Sequence, residues 1–549
     1  MKNLGSVLLL FLISLLPLVT LFQLGLPITH DGQDHVARIA NFYASLSEGN
    51  IIPRWANNLN WGYGHPILMF LYPLPSYFAS VFHFLGFSLV DSVKAVFGIS
   101  YILSGLFMFL WLKNFLGKFP SLVGAVIYLY APYRFVDLYV RGAIGEHTAF
   151  IFMPAICYFL LKQSLEKKFN LIYFLGLGFS TAGLILSHNA ISLMFFPFVF
   201  VYIIYLFWLS KKKLQLTTSI FGIFWGFALP AFFWVPAFFE GKYTLRDIVT
   251  KNEALTRFVD PQSLIYGPWN FGGTGVFSAQ VGIIPWIFIL LLPVCFYFLL
   301  KKRTERSNLI FLIIASIFFF SSIFLMLEIS KPVWLTITTL QKFQFPWRFL
   351  TISVFSSSLI GAYIVYSIRN QKFQKLLFVF VLVTSLILTK DYWRANDFLY
   401  KDESYYSGIY NSTTDTGESS PIWSVRFMEK RPEKEIEIIQ GYAKIVKLLR
   451  STTSRSYKIE SLEAVRIREN TLYFPGWKVY VDGSEEKNIE FQDPNNRGLI
   501  TFGLAPGKHK VDIIFENTKL RKFADAVSAV SVLGLILLII VYRVKWQNR

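Results

Sequence analysis

Cysteine is nearly absent from this chain of 549 residues. The two present, Cys157 and Cys295, each lie inside an apolar stretch, so neither a disulfide framework nor a cysteine metal site is on offer. They read as small core residues. Charge is also scarce. Charged residues make up 16% of the chain against 54% hydrophobic and 18% aromatic, and mean hydropathy is +0.47. That balance excludes an ordinary soluble domain and fits a chain whose solvent is lipid. Acids are the scarcer sign, 34 Asp and Glu against 53 Lys and Arg, for a net charge of +19. Basic residues collect in the cytoplasmic loops of membrane proteins, so the excess does not call for nucleic acid. No Gly-rich loop precedes a helix in the manner of a phosphate cradle, which argues against a nucleotide cofactor. No internal repeat or low-complexity segment occurs.

Long apolar runs are abundant. Spans are expected near 5–27, 91–112, 120–139, 147–161, 170–187, 190–209, 215–237, 279–300, 307–327, 349–368, 375–390 and 523–542, about twelve in all. The first run is too long for a signal-peptide core and lacks a small-residue cleavage site, so it reads as a retained helix. A further stretch, 66–86, contains Pro66, Pro73 and Pro75, and its uninterrupted part is about half the ~20 residues a span needs. If it does not cross and the N-terminus is cytoplasmic, every basic loop falls inside. These loops hold Lys113 and Lys118; Lys162, Lys167 and Lys168; Lys211, Lys212 and Lys213; Lys301, Lys302, Arg303 and Arg306; Arg369, Lys372 and Lys375; and the tail Arg543, Lys545 and Arg549. The expected protein is therefore a multi-pass helical protein of the plasma membrane with both termini inside. Residues 1–390 would form the transmembrane domain, with 28–90 as its first outer loop. Residues 391–522 would form an extracytoplasmic, mostly β domain, with strand patterns from about Ile436 that suggest a sandwich. Residues 523–549 would form the last helix and a cytoplasmic tail.

This topology collects the informative polar residues on the outer side. His30-Asp31-Gly32-Gln33-Asp34-His35 gathers two acids and two imidazoles where the first apolar run ends. If the segment is helical, Asp31, Asp34, His35 and Arg38 share one face. The plainer alternative is a solvated helix start, with Asp31 as N-cap and Asp34 favouring the helix dipole. Arg134, Asp137 and Arg141 recur at helical spacing and suit an internal ion-pair ladder, with Asp137 paired to Arg134. Glu146 follows with no obvious local partner, which makes it the better site candidate. His188 and Glu240 close apolar runs, where an interfacial or solvated tip is the plain reading. Lys342 and Arg348 alternate with aromatics in Gln341-Lys342-Phe343-Gln344-Phe345-Pro346-Trp347-Arg348-Phe349, either as a snorkelling aromatic belt or as a clamp for a lipid phosphate.

A chemistry that suits these parts is glycosyl transfer at the outer face. One carboxylate would deprotonate the acceptor while a divalent cation or fixed cations neutralise the departing phosphate. A hard cation such as Mg²⁺ or Mn²⁺ would draw on Asp34 and Glu146, while the nearby histidines leave open a softer metal or a purely protein-based site. The residues Thr29 to Ile39, Gly49-Asn50-Ile51-Ile52-Pro53-Arg54-Trp55, Gly62-Tyr63-Gly64-His65-Pro66 and Tyr72-Pro73-Leu74-Pro75 resemble the start of the membrane family called 6-pyruvoyl-tetrahydropterin synthase-related, or PTPS-related. The resemblance continues through Arg141-Gly142-Ala143 with Glu146, Ser187-His188-Asn189 and Phe345-Pro346-Trp347-Arg348. Residues 474–483 and 506–511 resemble the outer domain of bacterial membrane proteins that glycosylate cell-envelope polymers. The PTPS-related family is similar to the GT-C glycosyltransferases. The resemblance implies a GT-C-like fold with outer juxtamembrane helices, a polyprenyl-phosphate sugar donor and a glycan, lipid or protein acceptor in the cell envelope. By position it implies Asp31 or Asp34 as base and Glu146 as second acid, with His35, Arg38, Arg141, His188, Lys342 and Arg348 lining the substrate. The competing class is a non-enzymatic transporter of lipid-linked substrates or an envelope-assembly scaffold. The enzyme is favoured because the acids cluster in outer loops while the spans hold few ionisable residues at mid-depth.

Overall fold

In the computed structural model, residues 4–273, 276–301 and 306–547 are described; Lys302, Arg303 and Arg549, assigned above to cytoplasmic loops, lie outside them. Among the described residues nine helices are long and apolar enough to cross a membrane, from Leu4–Phe22 to Lys519–Val544. A tenth span forms if Lys213–Ala228 and Ala231–Phe239, bent by 66°, are taken together. About twelve were expected. The two that fall short are Lys118–Leu129 and Leu171–Ser187, roughly 18 Å and 25 Å long against a hydrocarbon core of about 30 Å. The 120–139 run breaks because Pro132 has no N–H to continue the ladder. The chain restarts as a short helix, Pro132–Phe135, and then a π-helical turn, Val136–Arg141. The proline-rich stretch yields a turn at Pro66–Met69 and a helix at Leu74–Phe84 of 11 residues, well short of a span.

Long polar connections distant in sequence are hydrogen-bonded to the ends of other segments. Ile28 N donates to the Asp397 carbonyl, Asn189 to the Phe70 carbonyl and Val259 N to the Met326 carbonyl. The lysine-rich turns also meet, and Lys212 Nζ donates to the Leu165 and Glu166 carbonyls.

Apart from a two-residue pairing of Leu26–Pro27 with Phe398–Leu399, the sheets begin at Ile436, where the strand pattern was read. Eight strands run β1 Ile436–Gln440, β2 Ala443–Arg450, β3 Ser454–Ser461, β4 Val465–Leu472, β5 Trp477–Val481, β6 Ser484–Glu486, β7 Leu499–Leu504 and β8 Gly507–Phe515. They form a five-stranded sheet, β2-β3-β8-β5-β6, and a three-stranded sheet, β1-β4-β7. Tyr457, Ile459, Val479, Val511 and Ile513 from the first sheet share one core with Val465, Ile467, Ile500 and Phe502 from the second, so the unit is a sandwich. Trp55, Met69 and Phe70 of the first long loop and Phe233 of the bent helix enter the same core. The sandwich therefore sits on the first long loop and the bent helix.

Buried ion pairs lock this seat. Glu240, read as a solvated tip, is buried and accepts from Arg521 Nε and Thr518 Oγ1, both at 2.7 Å. Arg521 also donates to the Pro475 carbonyl at 2.6 Å, joining the last helix, the bent helix and the sandwich. Arg54 bonds Asp525, Asn517 and the Phe232 carbonyl, tying the first loop to the same helix. Replacing Arg521 by Leu leaves Glu240 as a buried, unpaired charge and should cost about 3–5 kcal/mol. A fall in detergent-solubilised melting temperature, partly recovered by adding Glu240→Leu, is the expected result.

Candidate functional site

The π-helical turn Val136–Arg141 ends in Gly142, whose φ of 67° lies in the left-handed region. A Cβ there would stand 2.3 Å from Thr29 Oγ1. This close approach lets the first loop rest on the turn, with His30 N donating to the Val140 carbonyl and Asp31 N to the Arg141 carbonyl, both at 2.9 Å. The first loop then enters the helix Gly32–Ser47. Asp31 occupies its N-cap position but makes no capping hydrogen bond, and its side chain is exposed. The carboxylate is therefore not consumed by helix capping.

Asp34, His35 and Arg38 follow on one face, as the periodicity implies. Arg38 lies 3.0 Å from His35 Nδ1 and donates to Thr414 Oγ1 at 3.2 Å and to the Thr414 carbonyl. Asp34 accepts from Tyr410 and Ser412, and its pKa is raised, chiefly by burial and also by neighbouring Asp31, against the pull of Arg38. His35 is held well below the usual histidine range by burial and by Arg38 and Arg141, against a hydrogen bond to the Gly142 backbone, so it is neutral.

Arg141 forms the centre of a second cluster. One guanidinium nitrogen reaches Asp137 Oδ1 at 2.7 Å, Glu146 Oε2 at 2.9 Å and the Tyr133 hydroxyl at 2.9 Å. Glu146 is fully buried and also accepts from Tyr133 at 2.6 Å and Thr351 at 2.8 Å. This differs from the sequence reading in two ways. Glu146 has a local partner in Arg141, and Asp137 pairs with Arg141 at 2.7 Å, while Arg134 stacks over the Phe150 ring at 3.9 Å and donates to Ser104. The reason is the π-turn, which shifts Arg141 out of the simple helical ladder.

The remaining predicted residues divide. The His188 ring stacks on Tyr72 at 5.1 Å and caps the next helix by accepting from Ile191 N. Tyr72 in turn lies within electrostatic reach of Arg38, Asp31, Arg348 and Arg141, which brings the first loop, the π-turn and the Arg348 segment together around one ring. Arg348 donates to the Phe343 carbonyl at 2.8 Å and lies over the Phe345 ring at 4.8 Å, while its Nε is buried without a partner. Phe277 touches His30, Arg141 and Trp347 together, and the buried His30 Nε2 and Trp347 Nε1 are also unpartnered. Lys342 is exposed and forms no hydrogen bond or ion pair among the described residues. The structure therefore assembles all the predicted residues except Lys342 near one end of the bundle, but at two depths. Asp31 and Asp34 lie toward the surface and Glu146 lies beneath.

Several contributors were not singled out in the sequence. Gln344 has a φ of 66° and a ψ of −45°, and Phe345 N donates to the Phe343 carbonyl at 2.7 Å, which makes a γ-turn at a non-glycine residue. Its amide donates to Glu253 at 3.1 Å and Glu418 at 3.4 Å and accepts from Arg348 at 3.5 Å. The loop 410–420 supplies Tyr410, Ser412, Thr414 and Glu418. Six hydroxyl residues in the ten positions 411–420 were the available signal.

Among the described residues no group of three or more His, Cys, Asp or Glu side chains is placed to hold a metal ion. Both Glu146 oxygens already accept from protein donors. Asp34 and Glu146 thus do not fit the Mg²⁺ or Mn²⁺ expected above, and no chemical step below passes through a cation.

No family model matches the chain, so the PTPS-related label finds no support there. A curated relative from Lactococcus lactis subsp. cremoris (strain MG1363), described as an uncharacterized protein, is 28% identical over 205 residues, 35% of this chain and 32% of that one. The match thus spans about a third of the relative's length. Solved structures similar to this chain include GT-C glycosyltransferases. ArnT from Cupriavidus metallidurans bound to undecaprenyl phosphate is 12% identical, with a TM-score of 0.40 over 73% of this chain and 68% of that one. The arabinofuranosyltransferase AftD from Mycobacteria is 12% identical, with a TM-score of 0.46 over 70% of this chain and 26% of that one.

His65 gives this region a pH signature. Its buried Nε2 lies 3.1 Å from Ser420 Oγ, whose own proton goes to the Arg426 carbonyl, so His65 is the donor and is neutral. Burial lowers its pKa to about 4, with Arg38 adding to the effect and Asp415 opposing it. The unfolded chain binds this proton near pH 6.5, so the stability His65 contributes is complete above that value and falls as pH drops toward 4. His35 acts in the same direction, whereas Asp34, whose acid form the fold favours, offsets part of the loss. Melting temperature should therefore decline between pH 7 and 5, and His65→Gln should flatten that slope whatever it does to the absolute value.

Proposed function

We propose that this chain is a membrane glycosyltransferase that moves a sugar from a polyprenyl-phosphate donor to a hydroxyl of a cell-envelope acceptor. The observation that carries the reading is the pairing of two features around Tyr72 and Phe277. One is Asp34, a carboxylate with raised proton affinity beside the exposed Asp31. The other is a set of buried nitrogens without partners, on His30, Trp347 and Arg348. Unpaired buried N–H groups beside two guanidinium groups are costly unless an anion completes them. Their position at the end of a membrane bundle suits an anion delivered from the bilayer.

In this reading the acceptor O–H gives its proton to Asp34 as the oxygen attacks the anomeric carbon. The bond from that carbon to the phosphate oxygen breaks, and the phosphate leaves with the electron pair. Arg348, with its planar fork, takes up the developing charge. Glu146 acts as a positioning residue that fixes Arg141 rather than as the second acid. The site faces outward, since the lysine-rich turns occupy the opposite end of the bundle. A proton-coupled transporter would instead need ionisable residues at mid-depth in its spans.

The test is transfer from a polyprenyl-phosphate sugar by purified protein in nanodiscs. Asp34→Asn keeps the shape and removes the proton acceptor, so turnover should fall about 10²-fold or more while the melting temperature is nearly unchanged. Arg348→Lys should weaken donor use, because a point charge substitutes poorly for a bidentate fork. Full activity in both Asp31→Asn and Asp34→Asn would remove the first loop from catalysis and move the transporter or scaffold reading ahead.

A further inference from the structure

Away from the buried clusters, four aromatic rings meet where the 238–278 connection, the 410–424 loop and the sandwich come together. Tyr473 and Phe491 stack at 3.6 Å with an interplanar angle of 13°, and Trp423 stands edge-on to Phe491 at 5.0 Å. Tyr243 stacks on Trp423 at 5.9 Å. All four rings are half-buried, so each keeps part of its surface open. The hydroxyls of Tyr243 and Tyr473 are close enough to influence each other, and neither is hydrogen-bonded within the described residues. Exposed Lys242 places its Nζ 5.1 Å from the Tyr243 ring, and exposed Gln492 follows Phe491.

A seam that only glued the loop to the sandwich would bury aliphatic side chains and pair its hydroxyls. Here aromatic faces stay partly open beside free hydroxyls and polar neighbours, a combination suited to a polyhydroxylated ring. The C–H groups of a pyranose lie against aromatic faces while its hydroxyls bond to the rim. The platform is also joined to the candidate site. Ile422 N donates to the Tyr243 carbonyl and Leu245 N to the Ser420 carbonyl, so the two segments run antiparallel. One step further along, Arg246 pairs with Glu418 at 3.4 Å, and Glu418 receives the Gln344 amide that also contacts Arg348. Tyr243 and Arg246 flank Thr244 and Leu245, so the platform and the Arg246–Glu418 pair are neighbours along the chain.

We propose that Tyr243, Trp423, Tyr473 and Phe491 form a saccharide-binding subsite that holds the acceptor glycan chain and leads its end toward Glu418 and Arg348. The assignment of the bound glycan as acceptor rests on the glycosyltransferase reading. The binding site itself does not.

The experiment uses the full chain in nanodiscs with three soluble probes: hexasaccharides of β-1,4-linked glucose, β-1,4-linked N-acetylglucosamine and α-1,6-linked mannose. Binding is followed by saturation-transfer NMR and calorimetry. Saturable binding of at least one probe is expected, weakened about tenfold or more by Trp423→Ala and by Phe491→Ala and largely kept by Trp423→Phe. Trp423→Phe also controls for folding, as does an unchanged melting temperature. Asp34→Asn should bind the probe like the parent chain. Absence of saturable binding for all three probes, or equal binding by parent, Trp423→Ala and Phe491→Ala, overturns the platform. Probe binding lost in Trp423→Ala but no sugar transfer by the parent chain leaves the platform standing and removes the transferase reading.

Discussion

One buried guanidinium holds the candidate site in place. Arg141 satisfies Asp137 and Glu146 together, and without it two carboxylates would be desolvated beside one another at the end of the bundle. The same residue offers its carbonyl to Asp31 N, so the ion cluster and the seat of the first loop are one feature. This explains the π-turn. An ordinary helical ladder would leave Arg141 one turn from Asp137 with no reach to Glu146 beyond Gly142, whereas the widened turn and a left-handed glycine let it serve both. π-Turns of this kind concentrate at functional positions because they re-aim a side chain at a cost in regular hydrogen bonding. Glu146 follows from the same constraint. A carboxylate that accepts from Arg141, Tyr133 and Thr351 is well placed to orient a cation and poorly placed to take a proton.

The seat of the sandwich has a similar logic. Its core is continued by Trp55, Met69 and Phe70 of the first long loop and by Phe233 of the bent helix, and buried Arg54 and Arg521 cross the junction. Apolar burial provides the cohesion, and the two arginines set the register between the last helix and the rest. Because the 410–420 loop is clamped between this unit and the first loop, the groups it presents to Asp34 and Arg38 are positioned by packing that lies far from them in sequence.

Much of this was legible in the chain and some was not, for identifiable reasons. Long apolar runs, the break in 66–86 and the onset of strands at Ile436 all follow local pattern, and local pattern is what a sequence displays. Asp31, Asp34, His35 and Arg38 share a face because helical periodicity does not depend on tertiary contacts. The pairing of Asp137 failed, since it assumed an unbroken α-helix from Arg134, and only the non-local fit of Gly142 against Thr29 favours the π-turn. The count of spans is not matched by length alone, since Pro132 interrupts the 120–139 run and Leu171–Ser187 has only 17 residues. Tyr410, Thr414 and Glu418 were missed because they reach the site across almost the whole chain. A hydroxyl-rich loop has no periodicity from which such a contact can be read.

Gln344 shows where these parts meet. A γ-turn of positive φ at a residue with a side chain is held only when the surroundings favour it over a relaxed alternative. Here the surroundings are identifiable. The amide is bonded by Glu253 from one connection and Glu418 from another, and its oxygen by Arg348, so relaxing the backbone would give up three polar contacts at once. Local strain of about 1–3 kcal/mol is modest beside that loss. The strained turn therefore acts as a fixed spacer. It sets the distance between the guanidinium of Arg348, on the side of the unpartnered buried nitrogens, and Glu418, on the side of the aromatic platform. A sugar passed from a lipid phosphate to a glycan end would have to bridge that same interval.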